Sequence, residues 1–310
     1  MRTRWVLALC ALLIALGSVS CKRGSSGKPR VAVSIFPLYD IARRVAGDRL
    51  DVVLVLPPGR SEHSYDPTPR EMARVADSRL AISVGLGMDE WLTRIVQGAA
   101  GTNVTMLEIG PRLDPRPTPL GAVGEEAADE ARHGAEDDDH HGPQDPHVWL
   151  DPQRMSRAVD LFVDAFTHLD AQGAAGFRSR GDEVKRALGS LDQALEARAH
   201  SWSRHSIVTF HGSMGYYAAR YGLQIAAVVE PFPGREPTPR YMADVLSALQ
   251  RLHPAAMFSE PQLDRRPAQV IADQSHVPLF EVDPVGGTPG ADTYERLLTH
   301  NTDVFEHALR

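Results

Sequence analysis

Four residues offer nitrogen or oxygen donors where an apolar run gives way to a turn: His63, His147, His211 and Asp283. His147 stands in DPHVWLDP (145 to 152), between the apolar pair Val148 and Trp149 and a segment dense in Asp, Glu and His. That contrast suggests a metal ligand on a rigid edge beside a metal-attracting flap. Three imidazoles and one carboxylate are the donors of a closed tetrahedral zinc site. A nitrogen-rich set favours zinc over manganese, which prefers more carboxylate. Each residue alone has a plainer reading. A histidine at a strand end is usually a cap or a surface residue, and Asp283 before Pro284 is an ordinary turn residue. Trp149 reads as packing that fixes the loop edge.

The elements that must position these donors alternate short apolar runs with helical stretches, the pattern of parallel α/β layers. The expected strands are 31–36, 51–56, 79–85 and 103–107, then 206–210, 223–229, 255–259 and 278–282. Helices are expected from Ile41 to Ala46 and near 69–77, 89–98, 153–169, 213–220, 239–251, 266–274 and 292–309. Each donor then lies past the carboxyl end of a strand, where ligands of open α/β sheets gather. One longer helix, from Phe177 to about Ser203, places Val184, Leu188, Leu191, Leu195 and Ala199 on one face. At 1.5 Å per residue it spans roughly 40 Å, enough to bridge two domains. LVLPPGRSEHSYDPTPREM is echoed by VVEPFPGREPTPRYM, so both halves carry a similar unit. The expected organisation is an N-terminal α/β lobe over 30–172, a linking helix over 173–203 and a C-terminal α/β lobe over 204–310. The stretch 110–146, Pro-rich and then acidic, has no periodicity, and most of it is expected to be disordered.

At 310 residues the chain is too long for one ordinary core, and its 43% hydrophobic content suffices for two. The formal net charge of −7 equals the balance of residues 125–141, where eight acids face Arg132 alone. The remainder is formally neutral, so nothing asks for nucleic acid or an anionic membrane as partner. Arg2, Arg4 and the apolar run Trp5 to Leu16 read as an export signal, too short for a membrane span. Cys21 sits where a bacterial lipoprotein signal ends, so residues 1–21 are expected to be signal, with Cys21 lipidated and 22–29 a Gly/Ser tether. Ser18, three residues before Cys21, replaces the usual larger aliphatic, and a soluble periplasmic product is the alternative. With Cys10 inside the signal, the mature domain has no disulfide. GSSGK in the tether lacks phosphate-loop spacing and a preceding strand.

The chain resembles the metal-binding receptors of bacterial ABC importers for zinc and manganese, the cluster A-I substrate-binding proteins. PPG with EHSYDPTP, DPHVWLDP, FHGSMGYYAARYGL, EPFPGREPTP, FSEPQ and EVDPVGG carry the resemblance, in order, over nearly everything after the tether. It implies two α/β lobes with parallel sheets joined by one long rigid helix, and metal ligands His63, His147 and His211 with Asp283 as fourth carboxylate. Glu62, next to His63, is the rival for that fourth place, directly or across a water. Manganese receptors of the family commonly carry Glu where this chain has His211, and an acidic His-bearing loop is a trait of the zinc branch. The loop's His133, His140 and His141 make a second, weaker site an expectation.

The resemblance implies a monomeric receptor outside the cytoplasmic membrane that captures Zn2+ as its transported ligand. It hands the ion to a permease driven by a separate ATPase subunit. Metal affinity is expected to fall as pH drops through the imidazole range near 6.5. One alternative is a manganese receptor or adhesin of the same fold. Another is a zinc hydrolase with an open fourth position, against which stands the lack of an HExxH helix.

Overall fold

The computed structural model describes residues 27–98, 103–121, 123, 144–231 and 237–310. Cys21 with the signal segment, most of the tether, and His133, His140 and His141 lie outside the described residues. The N-terminal lobe has a parallel sheet of β1 (Arg30–Val33), β2 (Asp51–Leu54), β3 (Leu80–Ser83) and β4 (Thr105–Glu108), ordered β2-β1-β3-β4. The C-terminal lobe repeats it with β5 (Ser206–His211), β6 (Gln224–Glu230), β7 (Ala256–Ser259) and β8 (Leu279–Glu281), ordered β6-β5-β7-β8. In each sheet the chain steps first to one side of the opening strand and then to the other. Such a reversal opens a crevice at the carboxyl ends of the strands.

Helices α1 (Phe36–Ala46), α2 (Pro69–Ala76) and α3 (Glu90–Gly98) cover the first sheet, and α6 (Gly215–Tyr221), α7 (Pro239–Leu252), α8 (Arg265–Ser275) and α9 (Tyr294–Leu309) the second. Between them run α4 (Pro152–Leu169) and the 26-residue α5 (Ala174–Ala199). Local chemistry sets several starts. Thr68 and Glu71 form a capping box on α2, and Asp151 and Thr238 cap α4 and α7 ahead of prolines in the first turn. Among the described residues no helix is long and apolar enough to cross a membrane.

Two expectations need correction, and the ends of a third stretch carry structure. The strand expected over 31–36 ends at Val33, and Phe36 already opens α1, because Pro37 suits a first helical turn and not a central strand. Helix α5 begins at Ala174, three residues before Phe177, and ends at Ala199. The break between α4 and α5 is made at Asp170, whose backbone leaves the helical region (φ −146°, ψ 86°), and by the short turn Ala171–Gly173 that follows it. The buried row of α5 runs through Asp192, while Leu191 is only half-buried. Not all of the stretch 110–146 is irregular. A short turn forms at Gly110–Arg112, Leu113 is buried, Pro117 bridges Gln144, and Gly121 bridges Ala227 of the C-terminal sheet. Val123 joins the core of that second lobe, so apolar residues anchor this strap even where the pattern has no period.

Helix α5 packs on α4 and α1 of one lobe and on α9 and α6 of the other. Arg180 donates to the carbonyls of Val45 (2.9 Å) and Ala46 (3.0 Å) at the end of α1, and Arg198 pairs with Asp303 and Glu306 of α9. Both lobes are thereby tied to one rigid element.

Candidate metal centre

His63 lies in the turn after β2, where the indole of Trp91 donates to the carbonyl of Glu62 (3.0 Å) and packs edge-on against Tyr65. His211 is the last residue of β5, with Nδ1 3.4 Å from the carbonyl oxygen of Glu230. His147 precedes the turn Val148–Leu150, and a single oxygen, Asp145 Oδ1, accepts both its backbone amide (2.9 Å) and its ring Nδ1 (2.7 Å). Burial raises the Asp145 carboxyl well above its usual range, but the oxygen that already accepts the backbone amide also accepts from the ring, so the proton is assigned to Nδ1 and the Nε2 lone pair points inward. The strap is held from the other lobe. Tyr216 donates to the Asp145 carbonyl (3.0 Å), Trp149 donates to Pro284 (2.7 Å), and Tyr294 donates to Trp149 (2.6 Å). Trp149 is fully buried, in its expected role of fixing the edge.

The three Nε2 atoms converge, at 3.2 Å for His63 and His147, 3.2 Å for His63 and His211, and 3.4 Å for His147 and His211. Zinc bonds to nitrogen of 2.0–2.1 Å give a tetrahedral edge of about 3.3 Å. Imidazole lone pairs this close repel one another, and a cation among them turns that repulsion into attraction. Among the described residues these three histidines are the group whose donor atoms all lie within 4.8 Å.

Asp283 is buried beside this group but outside it. Its Oδ1 accepts from Gln262 (2.7 Å) and the amides of Val285 (3.0 Å) and Gly286 (2.9 Å), and Asn301 clamps its backbone. Glu62 comes nearer, with Oε1 3.7 Å from His63 Nε2 and no hydrogen-bond partner on that oxygen. Glu260, absent from the sequence-based candidates, is buried behind it and accepts from the Ser213 hydroxyl. It follows β7 directly, so the strand-end rule that found His211 and Asp283 also reaches it. Asp145 was likewise legible only as part of a motif, not as the partner of an imidazole.

Burial governs the protonation of these groups. It pushes His147 down to about 3, so this imidazole is neutral across the physiological range. Burial, with the nearby Asp283 charge, pushes Glu62 up to about 7, and burial with the charges of Glu62, Asp283 and Glu230 pushes Glu260 up to about 8. Without metal, His147 therefore takes up no proton in the imidazole range near 6.5, while Glu62 and Glu260 titrate at about 7 and about 8. Folded, metal-free protein holds protons on Glu62 and Glu260 that an unfolded chain releases near 4.5. Their stabilising contribution is complete below that value and gone once pH passes about 8. His147 acts oppositely, but only below its ordinary 6.5. Between pH 6.5 and 8 the melting temperature of metal-free protein should fall, and a bound dication, which favours ionised carboxylates, should flatten the slope. Thermal melts across that window check this, and a rising metal-free curve contradicts it.

Asp145 sets the orientation of His147, so Asp145→Ala should weaken metal binding 10- to 100-fold, as loss of such supporting partners typically does. Calorimetry reads this directly, and unchanged affinity would remove Asp145 from the site.

A family model described as the zinc-uptake complex component A, periplasmic, matches residues 31–308. The chain is similar to the manganese-binding lipoprotein MntA of Halalkalibacterium halodurans, at 24% identity over 96% of both chains. It is similar to the zinc-binding lipoprotein AdcA of Streptococcus pneumoniae, at 26% identity over 92% of this chain and 56% of that protein. It is also similar to the iron ABC transporter substrate-binding lipoprotein MtsA of Streptococcus pyogenes, at 24% identity over 96% of this chain and 94% of that one. In fold it matches a zinc-bound variant of AdcAII from Streptococcus pneumoniae with a TM-score of 0.77 at 20% identity, covering 91% of this chain and 99% of that one. It matches the crystal structure of ZnuA at 0.76 and 19% identity, covering 92% and 100%. Given the match over nearly the whole chain beyond the tether, this protein belongs to the zinc-uptake complex component A family, metal-binding receptors of ABC importers and not enzymes.

Proposed function

We propose that this receptor takes Zn2+ as its cargo, held by His63, His147 and His211, and delivers it to an ABC permease served by a separate ATPase. The observation that carries this reading is the triangle of Nε2 atoms at 3.2 to 3.4 Å, which fits the face of a zinc tetrahedron. The fourth corner falls to a carboxylate. Glu62 is the nearer and has an oxygen without a partner; Asp283, with one oxygen already engaged, is the alternative. The protein works as a monomer on the outer face of the cytoplasmic membrane, in the periplasm, anchored through Cys21. The lobes are 30–172 and 204–310, joined by 173–203.

A manganese or iron reading is favoured by two relatives that bear those metals in their names. Nitrogen donors outnumbering carboxylates weigh against it. Competition between Zn2+ and Mn2+ on demetallated protein decides between them, and tighter retention of Mn2+ would overturn the zinc assignment.

The acidic segment collects cations loosely through its carboxylates and His133, His140 and His141, raising their concentration near the cleft. Deleting 125–141 should leave the tight equivalent of zinc in place, with affinity changed less than about threefold (below 1 kcal/mol). Elemental analysis of the deletion variant checks this; loss of the tight ion would make the segment part of the site.

A further inference from the structure

On the flank where α4 meets α6, an open pocket of about 490 Å3 is lined by Arg116, Arg154, Arg157 and Arg220, with Asp151 and Gln153 beside them. We propose that this pocket is an oxyanion site, taking phosphate or a carboxylate through Arg116 and Arg154.

Arg157 and Arg220 are already committed. Arg157 binds the Asp114 carboxylate and the Leu113 carbonyl (3.1 Å), and Arg220 grips Asp192 and Glu196 with all three of its nitrogens. These two form the walls. Arg154 is held rigidly, 8% exposed, with NH1 on the carbonyls of Leu113 and Asp114, Nε 3.3 Å from Asp151, and its guanidinium over the Tyr216 ring at 4.7 Å. None of these contacts uses NH2. Arg116 is exposed, and among the described residues its guanidinium makes no ion pair; its backbone alone is tied, the amide donating to Tyr216 (2.9 Å) and the carbonyl accepting from the Asp145 amide (2.7 Å). The pocket thus holds one free planar fork and one pre-oriented edge, the arrangement that recognises carboxylate and phosphate oxygens bidentately.

Two features bear on this. Gln153 and Arg154 lie in the first turn of the 18-residue α4, whose amino end is already capped by Asp151, so the anion's attraction rests on the two arginines and not on the helix end. Among the described residues Ala219 is the only aliphatic side chain in the lining, so polar groups dominate the surface a ligand would meet. Arg116 belongs to the strap that ends in His147, and Arg154 to the helix that follows it. An oxyanion bridging the two would cross-link both sides of the His147 turn without touching the metal.

The test is calorimetric titration of metal-free protein with inorganic phosphate at low ionic strength, with succinate in parallel to separate phosphate from carboxylate preference. One saturable site with Kd of about 1 mM or tighter is expected, weakened at least about tenfold by Arg116→Glu and partly retained by Arg116→Lys. Zinc affinity of Arg116→Glu should stay within about threefold of the parent. Absence of saturable heat with either anion, or binding unchanged in Arg116→Glu, overturns the proposal. Loss of zinc binding in the exposed-residue variant Arg116→Glu would also overturn it, by showing that the pocket is not separate from the metal centre.

Discussion

Replacing His147 with alanine should remove the tight metal equivalent while leaving the fold intact. The imidazole is one of three nitrogens at 3.2 to 3.4 Å, and neither of the others can move to cover its corner. His211 is locked at the end of a central strand and His63 by the turn that Trp91 holds. Structural zinc sites bind with about 10–16 kcal/mol shared among four ligands, so one ligand is worth roughly 3 kcal/mol. That corresponds to a loss of about two orders of magnitude in affinity. Calorimetry with elemental analysis reads the change. Retention of one tight equivalent would mean that the three imidazoles do not hold the ion. The substitution also empties a buried position beside Trp149, so circular dichroism of the variant should accompany the titration. The strap has other ties, at Tyr216, Pro284 and Tyr294, which should preserve it.

Asp192→Ala should cost about 3 kcal/mol or more of stability, the range for breaking a buried charge pair from one side. Asp192 is 6% exposed in the C-terminal half of α5 and joins three elements. It accepts from Gln153 of α4 (3.0 Å), from Arg220 of α6 (2.9 and 2.7 Å), and from the Tyr221 hydroxyl (3.2 Å). Truncation leaves the guanidinium with Glu196 alone, which is more exposed, and a buried phenol with no acceptor. Because α4 follows the His147 turn and α6 follows His211, the same change should loosen the relation between two ligands. Urea unfolding of metal-free protein measures the first effect, and metal affinity the second. A variant as stable as the parent would show that α5 ties the lobes by its apolar row alone.

The strands, the helix caps and the doubled α/β plan were legible because they rest on short-range rules. Strand ends are written in Pro–Gly turns, as after Leu56, and helix starts in Thr68, Asp151 and Thr238. His63, His147 and His211 follow from position past those strand ends, and the fold does bring them together across separations of 84 and 148 residues. The anchors of the stretch after β4, Leu113 and Val123, were not legible because they have no period to betray them.

What the amino-acid sequence determined by itself was the donor chemistry and the places where donors could stand, since both are local properties of residue type and turn. The tertiary structure alone decided which carboxylate approaches the imidazoles, why Asp145 holds the backbone amide and ring Nδ1 of His147, and why Asp192 and not Leu191 faces inward on α5. It also decided protonation, setting Glu62 near 7 and His147 near 3. Burial and distances across the lobe seam are sums over residues far apart in the chain, and no window of sequence contains them.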